Sequence, residues 1–266
     1  MRRPAHVSPK SRKARPSRYF VIPLAAVLVL LVAVAAGVVR TRISDGAEDW
    51  RPRSAVLTPD GKDIYVAKTA PAAMRITAPA TNTDGNLRVI YHREGVAPAT
   101  DGESCANWTD DQGIDAQQGV ALRIRTDGQG NTQAITVTKN IFGASVWEFN
   151  VHLWISGRTL VENPVAKFNL YSSLIPPEGG LYPLPWRMCA RALGTAVDVK
   201  VWPTSRPEPA WDDPRSSGSV TVPRDWVYPG SAGWYIGHLQ PGHHATFTKL
   251  GTWKYPAADS SAGGAG

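Results

Sequence analysis

The side chains best suited to hold a ligand occupy alternate positions in one segment near the middle of the chain. Glu148, Asn150, His152 and Trp154 are separated from one another by single apolar residues. Alternation with a period of two places each set on its own face of a β-strand. Carboxylate, amide and imidazole groups can hydrogen-bond sugar hydroxyls while an indole ring stacks on the sugar. The pattern therefore predicts a carbohydrate-binding face.

A second segment repeats this arrangement. Trp202 follows Asp198 and Lys200 at alternate positions, and valines occupy positions 197, 199 and 201 between them. We expect Trp202 to join the four residues above on one concave ligand-binding face. The alternative is that the ten tryptophans of the chain serve packing alone.

Three catalytic patterns are absent from the sequence: paired carboxylates, a zinc motif and a serine-nucleophile motif. A glycosidase needs two carboxylates about 5 to 9.5 Å apart across a cleft. No alternating acidic run supplies them, and Glu148 is the only carboxylate in its predicted strand. No His-Glu-x-x-His zinc motif and no Gly-x-Ser-x-Gly nucleophile motif is present either. The sequence therefore favours a non-catalytic protein.

Short alternating segments continue through most of the chain and predict an all-β fold. Examples are residues 87–91 and 120–124, and turn-forming clusters at 127–131 and 193–195 join neighbouring segments. Many short strands with regular turns favour an antiparallel two-sheet jelly-roll sandwich. We assign the sandwich to residues 81–256. Residues 40–80 are predicted to form a juxtamembrane linker and a first edge strand, and residues 257–266 a flexible tail.

Several motifs in the second half resemble the late strands of the concanavalin A-like lectin/glucanase (laminin G-like) jelly rolls. They are PWRM at 185–188, VDVKVWP at 197–203, EPAW at 208–211, GWYIG at 233–237 and ATF at 245–247. The resemblance covers residues 185–254, and over 85–160 it extends only to the strand pattern. It implies that the first two motifs pair on the concave sheet and that the ancestry is carbohydrate-handling. It does not supply the glucanase catalytic residues.

An acidic loop offers a candidate metal site. Asp110, Asp111 and Asp115 place three carboxylates within six residues, and the resemblance implies calcium, which such jelly rolls often hold. Calcium takes six to eight oxygen ligands, and the loop lacks the order of an EF-hand. An ordinary acidic turn is the alternative, and no other cofactor is expected.

The two cysteines, Cys105 and Cys189, both lie in the predicted sandwich. The sandwich follows an apolar segment at residues 19–39 and is therefore expected on the extracytoplasmic side. Thiols there oxidise and persist as disulfides, so we expect a bridge between the two cysteines. Two buried free thiols are the alternative.

An uncharged apolar segment at residues 19–39 predicts one transmembrane helix, because about 20 residues span a bilayer core of about 30 Å. A cleaved signal peptide is the alternative, with Ala33-Val34-Ala35 as its cleavage pattern. The positive-inside rule places residues 1–18, a disordered basic tail, in the cytoplasm. The C-terminal domain then lies on the extracytoplasmic side of the plasma membrane.

The net charge of +7 comes from the front of the chain. Nine of the 29 basic residues precede residue 43, where no acidic residue occurs, which leaves 20 basic against 22 acidic residues in the remainder. A domain of this balance has no clustered basic surface for a phosphate backbone. Nucleic acid is therefore not an expected partner.

Together these features predict a membrane-anchored, extracytoplasmic jelly-roll domain that binds cell-envelope or environmental polysaccharide without turning it over. One alternative is a divergent glycoside hydrolase or lyase that brings Glu148 together with Asp198 from a distant strand. Another is a structural or interaction module of a bacterial envelope assembly, whose tryptophans would form a convex patch.

Overall fold

The computed structural model describes seven parts of the chain. They are residues 41–43, 50–58, 64–81, 87–110, 116–142, 146–156 and 164–256. The predicted transmembrane segment, both predicted tails, Asp111 and Asp115 lie outside these residues. Within the described parts, no helix is both long enough and apolar enough to cross a bilayer.

Fifteen strands make up almost all of the described secondary structure. In chain order they are β1 (Thr41–Ile43), β2 (Pro52–Thr58), β3 (Val66–Ala70), β4 (Ala73–Thr77), β5 (Arg88–Arg93), β6 (Gly102–Trp108), β7 (Gln117–Thr126), β8 (Thr132–Phe142), β9 (Val146–Ile155), β10 (Ala166–Phe168), β11 (Trp186–Leu193), β12 (Ala196–Pro203), β13 (Ser217–Thr221), β14 (Ser231–Gly237) and β15 (His244–Lys254). One turn of α-helix, α1 (Tyr171–Leu174), follows β10, and one turn of 3-10 helix spans Arg224–Trp226.

The strands form two antiparallel sheets. Sheet A has the order β13-β12-β11-β6-β15-β4-β3, and β1 also pairs with β15. Sheet B has the order β10-β9-β8-β7-β14-β5-β2. The chain passes repeatedly from one sheet to the other, for example from β5 through β6 to β7 and from β14 to β15. The prediction of an all-β, two-sheet antiparallel sandwich is confirmed.

The predicted hairpins are also present. The cluster at 127–131 joins β7 to β8, and Asp127 organises this turn by accepting backbone N–H bonds from Gln129 and Asn131 at 2.8 and 2.9 Å. The turn at 193–195 joins β11 to β12, and Gly194 occupies it with a φ of 54°. Aspartate favours such turns because its side chain accepts hydrogen bonds from nearby backbone N–H groups. Glycine favours them because it adopts a positive φ without steric strain.

The sandwich begins earlier in the chain than the sequence predicted. Residues 40–80 were expected to hold one edge strand, but β1 to β4 all lie there. β2 is the edge of sheet B, and β3 is the edge of sheet A. The additional strands escaped prediction because they are short and carry few large apolar residues, which weakens the alternation that marks a strand.

The core lies between the two sheets. Phe149, Val151 and Leu153 of β9 point into it, as their alternation predicts. Val199 of β12, in sheet A, belongs to the same buried cluster. Trp234 of β14 is fully buried there, and its Nε1–H donates to the carbonyl of Cys105 at 3.0 Å. Burial of these faces is the main favourable term in folding such a sandwich.

A buried arginine, Arg123, donates hydrogen bonds to three backbone carbonyls at one end of the sandwich. Arg123 interrupts β7 with a left-handed φ of 51° and is only 2% exposed. Its guanidinium donates to the carbonyls of Thr100 and Trp226, both at 2.8 Å, and to that of Gly194. The nearest carboxylate, Asp101, lies 3.6 Å away. Burial lowers the pKa of Arg123, but a guanidinium keeps its proton in proteins.

Arg123→Met tests how much these hydrogen bonds contribute to the stability of the sandwich. We expect the free energy of unfolding to fall by about 3–5 kcal/mol, because the variant leaves buried carbonyls without donors and Asp101 without its cation. Urea denaturation would measure the change. Arg224→Met is the matched control at an exposed arginine, where a change within about 0.5 kcal/mol is expected. Equal losses in both variants would contradict the assigned role.

Candidate functional site

Glu148, Asn150, His152 and Trp154 lie together on the outer face of sheet B. Their strand, β9, turns its apolar side chains to the core, so the alternate positions face away from it. The prediction from the sequence that these four side chains share one face of their strand is therefore confirmed.

This face is not an open binding surface. Trp154 is 6% exposed, Asn150 4% and His152 8%. The indole Nε1–H of Trp154 donates to Thr136 Oγ1 at 2.8 Å, and its ring centroid lies 5.7 Å from that of His152. Glu148 is the more accessible member and pairs with Lys167 at 3.3 Å. Trp154 is thus packed into the protein and does not present a stacking platform to solvent.

A buried polar layer surrounds these residues. Asn150 is directly opposite Thr138 of β8, and neither Asn150 Oδ1 nor Thr138 Oγ1 has a hydrogen-bond partner within the described residues. Nearby, the hydroxyl of Tyr235 donates to Gln117 Oε1 at 3.1 Å, and burial raises the pKa of this tyrosine. The layer can hydrogen-bond polar groups, but it is closed to a polymer in this arrangement.

The prediction of one shared face for Trp154 and Trp202 is wrong. Trp202 belongs to β12 and lies on the outer face of sheet A, on the opposite side of the sandwich. It does face away from the core valines of its strand, as predicted. Alternation identifies the face of a strand but not the sheet in which that strand pairs, so the sequence could not separate the two tryptophans.

The same geometry removes the predicted catalytic pair. Glu148 projects from the outer face of sheet B. Asp198 projects from the outer face of sheet A and pairs with Arg191 at 2.8 Å. Packed sheets are about 10 Å apart, and the two side chains point in opposite directions from them. These carboxylates cannot flank one glycosidic bond.

Nor do the tryptophans form a surface patch. Of the nine whose side chains the structure describes, seven are buried, and Trp211 and Trp253 are half-buried. The convex tryptophan patch expected of an interaction module is therefore not found in the described parts of the chain.

The predicted disulfide is confirmed. Cys105 of β6 and Cys189 of β11 are directly opposed and bonded, and they lie on the outer face of sheet A beside Trp202 and Trp253. A carboxylate oxygen of Glu103 lies within 4.8 Å of both sulfurs, a spacing at which three such atoms could hold a metal ion. Because both sulfurs are in the disulfide, neither offers a thiolate to a metal.

Asp110 has a role within the fold. Its carboxylate accepts hydrogen bonds from the backbone N–H and the hydroxyl of Thr246, at 2.7 and 2.8 Å, and lies 3.2 Å from His244 Nε2. One engaged carboxylate does not approach the six to eight oxygens that calcium takes. The other two predicted ligands are outside the described residues, so the calcium site stays a prediction.

Trp202 borders an open groove, which we call the Trp202 groove. Helix α1, the loop that follows it and the loop between β12 and β13 form its walls, and its volume is about 570 Å³. Its lining residues are Ser172, Ser173, Ile175, Pro177, Tyr182, Trp202, Pro203, Arg206, Pro207, Glu208, Pro209, Asp213, Arg215 and Ser216.

One wall of the groove carries an aromatic side chain and a cation. Arg206 Nε–H donates to the hydroxyl of Tyr182 at 3.1 Å, and its guanidinium carbon lies 5.5 Å from the ring centroid. The backbone of Tyr182 is held by Trp186, whose Nε1–H donates to its carbonyl at 2.8 Å. Tyr182 is half-buried, so part of its ring remains accessible.

Lys200 holds the part of the β12–β13 loop that carries Glu208. It is 3% exposed, and its Nζ donates to Glu208 Oε1 at 2.6 Å and to the carbonyl of Pro209 at 3.0 Å. The same ammonium lies 4.3 Å from the ring centroid of Trp211 and 5.4 Å from that of Trp202. This lysine thereby ties the segment 208–211 to sheet A through charge and cation–π contacts.

Sequence reasoning named Trp202 but missed Tyr182, Arg206 and Asp213. These residues lie in loops with no periodicity, and nothing in their spacing indicates that they share a groove. The one available signal was the EPAW motif at 208–211, which the resemblance identified without giving it a role.

Comparisons with known proteins give only remote similarities. No family model matches the sequence, and no curated protein matches it. Among solved structures, the Ca²⁺-bound exoplasmic/lumenal domain of VIP36 is similar with 9% identity and a TM-score of 0.47, over 80% of this chain and 85% of that one. The carbohydrate-binding module CBM66 from Bacillus subtilis has 10% identity and a TM-score of 0.40, over 74% and 92%.

A third similar structure is the CBM2 module of the evolved Dit protein of Lactobacillus casei BL23 phage J-1. It has 9% identity and a TM-score of 0.41, over 83% of this chain and 96% of that one. Similarities at this level carry no argument about ligand or activity. The fold described above rests on the strand pairing of the chain itself.

Removal of the disulfide tests its contribution to sheet A. For cysteines 84 residues apart, the chain-entropy model gives a loss of about 4–5 kcal/mol in the free energy of unfolding when Cys105→Ala and Cys189→Ala are combined. Chemical denaturation would measure it. Dithiothreitol should lower the midpoint of the wild-type protein and leave that of the double variant unchanged. A double variant as stable as the oxidised wild type would contradict the expectation.

Proposed function

We propose that the chain is a non-catalytic carbohydrate-binding protein and that the Trp202 groove is its sugar-binding site. One observation carries the proposal: a solvent-open groove in which the half-buried ring of Tyr182 meets hydrogen-bonding groups of both charges. Its volume of about 570 Å³ falls within the range of about 300–1,000 Å³ that is usual for small-ligand sites.

The chemistry of the lining suits a neutral sugar. Each sugar hydroxyl can donate and accept a hydrogen bond, so it is best held between donors and acceptors. Arg206 and Arg215 supply donors, and Glu208 and Asp213 supply acceptors. The partly exposed ring of Tyr182 supplies an aromatic face for the apolar side of the sugar. Two positive and two negative side chains leave the groove without a strong net charge.

The absence of turnover is part of the proposal. The two carboxylates of the groove are engaged within the fold: Glu208 by Lys200 Nζ, and Asp213 by the backbone N–H of Arg215 at 2.9 Å. A glycosidase needs two carboxyl groups that face each other across the scissile bond, one as the general acid and one as the base or nucleophile. Both carboxylates of the groove are instead engaged by groups of the protein itself, so the groove is better suited to binding than to hydrolysis.

Substitutions in the groove test the binding site. We expect Tyr182→Ala and Arg206→Ala each to weaken polysaccharide binding by about tenfold, through loss of a stacking face or of a donor. Tyr182→Phe keeps the ring and should bind more tightly than Tyr182→Ala. The full-length chain would be tested by calorimetry against a panel of neutral polysaccharides, with released reducing ends measured in parallel.

The matched control is Arg224→Ala, at an exposed arginine outside the groove, which should bind as the wild type does. Thermal unfolding would show that each variant is folded. Equal affinity of Tyr182→Ala and the wild type would overturn the site. Failure to bind any polysaccharide would overturn the function, and release of reducing ends would overturn the non-catalytic reading.

We also propose that residues 19–39 anchor the protein in the plasma membrane with the sandwich outside the cytoplasm. The support is in the sequence: an uncharged apolar run, bounded by Arg18 and Arg40, that follows a basic tail. A polysaccharide-binding domain at the outer side of the membrane would meet its ligand in the cell envelope.

Membrane fractionation tests the anchor. The intact chain should sediment with membranes, resist extraction by alkaline carbonate and become soluble in detergent. Added protease should digest the sandwich in spheroplasts without lysis. As a control, Leu28→Arg combined with Leu31→Arg should impair insertion, because a charged residue at the bilayer centre costs about 2.5–3.5 kcal/mol on insertion scales. Recovery of the intact wild-type chain in the cytosolic fraction would contradict the proposal.

A further inference from the structure

The disulfide of sheet A is packed against the side chains that build the Trp202 groove. Cys105 and Cys189 are each 1% exposed and form one buried cluster with Trp202. Trp211 packs against the same cluster from the loop between β12 and β13. Trp202 lines the groove, and Glu208 lines it from the same loop as Trp211. The sulfurs and the groove therefore share packing partners.

Lys200 adds a second connection between the disulfide and the groove. It lies directly opposite Cys189 in the pairing of β11 with β12. Its buried ammonium donates to Glu208 and lies close to the rings of Trp202 and Trp211. A change of packing around the sulfurs thus reaches the loop segment 208–211 through Trp211 itself and through the lysine that holds the segment on sheet A.

Reduction of the disulfide changes the packing of this cluster. A dithiol passes two electrons to the disulfide, the S–S bond breaks, each cysteine gains a proton, and the dithiol closes to its own disulfide. Sulfurs that are no longer bonded have to separate to van der Waals contact. A close-packed interior does not absorb such a separation without movement of its neighbours. The half-buried members of the cluster, Trp211 and Trp253, have room to move outward.

A buried carboxylate beside the disulfide suits the reduced state. Glu103 is fully buried, and its Oε1 lies 3.4 Å from Cys105 Sγ, while its Oε2 accepts a hydrogen bond from the hydroxyl of Tyr255. A sulfur in a disulfide has no proton to donate to Oε1, whereas a thiol has one. The reduced protein thereby gains an S–H···O contact that the oxidised protein lacks. A contact made in the reduced state alone makes a disulfide easier to reduce.

We propose that the Cys105–Cys189 disulfide is a redox control of the Trp202 groove. In the oxidised form the packed cluster holds the segment 208–211 in its binding arrangement, and reduction by a dithiol loosens this segment and weakens sugar binding. The inference rests on the proposed function, because the controlled property is the affinity of that same site. Coupling between two sites is reciprocal, so a bound sugar favours the oxidised form.

Hydrogen exchange of the full-length chain, measured by mass spectrometry before and after reduction with dithiothreitol, tests the structural half of the proposal. We expect faster exchange after reduction for amides between residues 204 and 217, where turns are closed by bonds such as Asp213 N–H to Ala210 O and Ser217 N–H to Asp213 O. Arg123→Met is the matched control, since it lowers the global stability from the other end of β12. It should leave the exchange of these amides as in the wild type.

Fluorescence titration of both redox forms with cellotriose, laminaritriose and maltotriose tests the functional half. We expect reduction to weaken binding by about tenfold, which lies within the range of about 5–150-fold that is typical of coupled sites. In a fixed mixture of oxidised and reduced dithiothreitol, a saturating sugar should lower the fraction of reduced protein by a similar factor. Arg123→Met should bind as the oxidised wild type does.

Several outcomes would overturn the control. They are unchanged exchange at 204–217 after reduction, equal acceleration there in Arg123→Met, equal sugar affinity of the two redox forms, and a reduced chain that circular dichroism shows to be unfolded. Faster exchange on reduction in a protein whose oxidised form binds none of the sugars has a different meaning. It would overturn the sugar ligand and still support the coupling of the groove to the disulfide.

Discussion

The burial of one face of each sheet against the other is the constraint on which the rest of this structure depends. Every strand that contributes Val, Phe, Leu or Trp to the core must turn its alternate residues outward. In β9 those outward residues are Glu148, Asn150, His152 and Trp154, and in β12 they are Asp198, Lys200 and Trp202. The chemistry available on each outer face is therefore decided by which strands pair in which sheet.

Much of the fold can be predicted from period-two alternation, since the core needs it. The inner residues of β9, the hairpin at 127–131 and the paired β11 and β12 were all evident from the sequence. Strand assignment was poorer between residues 40 and 80, where short strands carry few apolar residues. Sheet membership was not predictable at all, because it depends on long-range pairing that no local pattern encodes.

The binding sites were less predictable than the fold for a related physical reason. Exposure of Trp154 could not be judged from alternation, because an outward face can itself be covered; Leu57, Ile90 and Tyr235 form a second buried cluster with it. The open groove beside Trp202 is bordered by loops, as at Tyr182 and Arg206. Residues that meet only through tertiary packing leave no spacing signal in the sequence.

The fold uses its buried cations to hold loops against the sheets. Lys200 is buried and neutralised by Glu208, so its charge serves the attachment of a loop to sheet A. Arg123 is buried as well, and backbone carbonyls at one end of the sandwich accept its hydrogen bonds. A buried cation whose hydrogen bonds are taken up inside the protein stabilises the segments that it joins and is not available to an anion. The hydrogen-bonding capacity of the Trp202 groove therefore comes from exposed lining side chains such as Arg206, and not from the lysine beneath them.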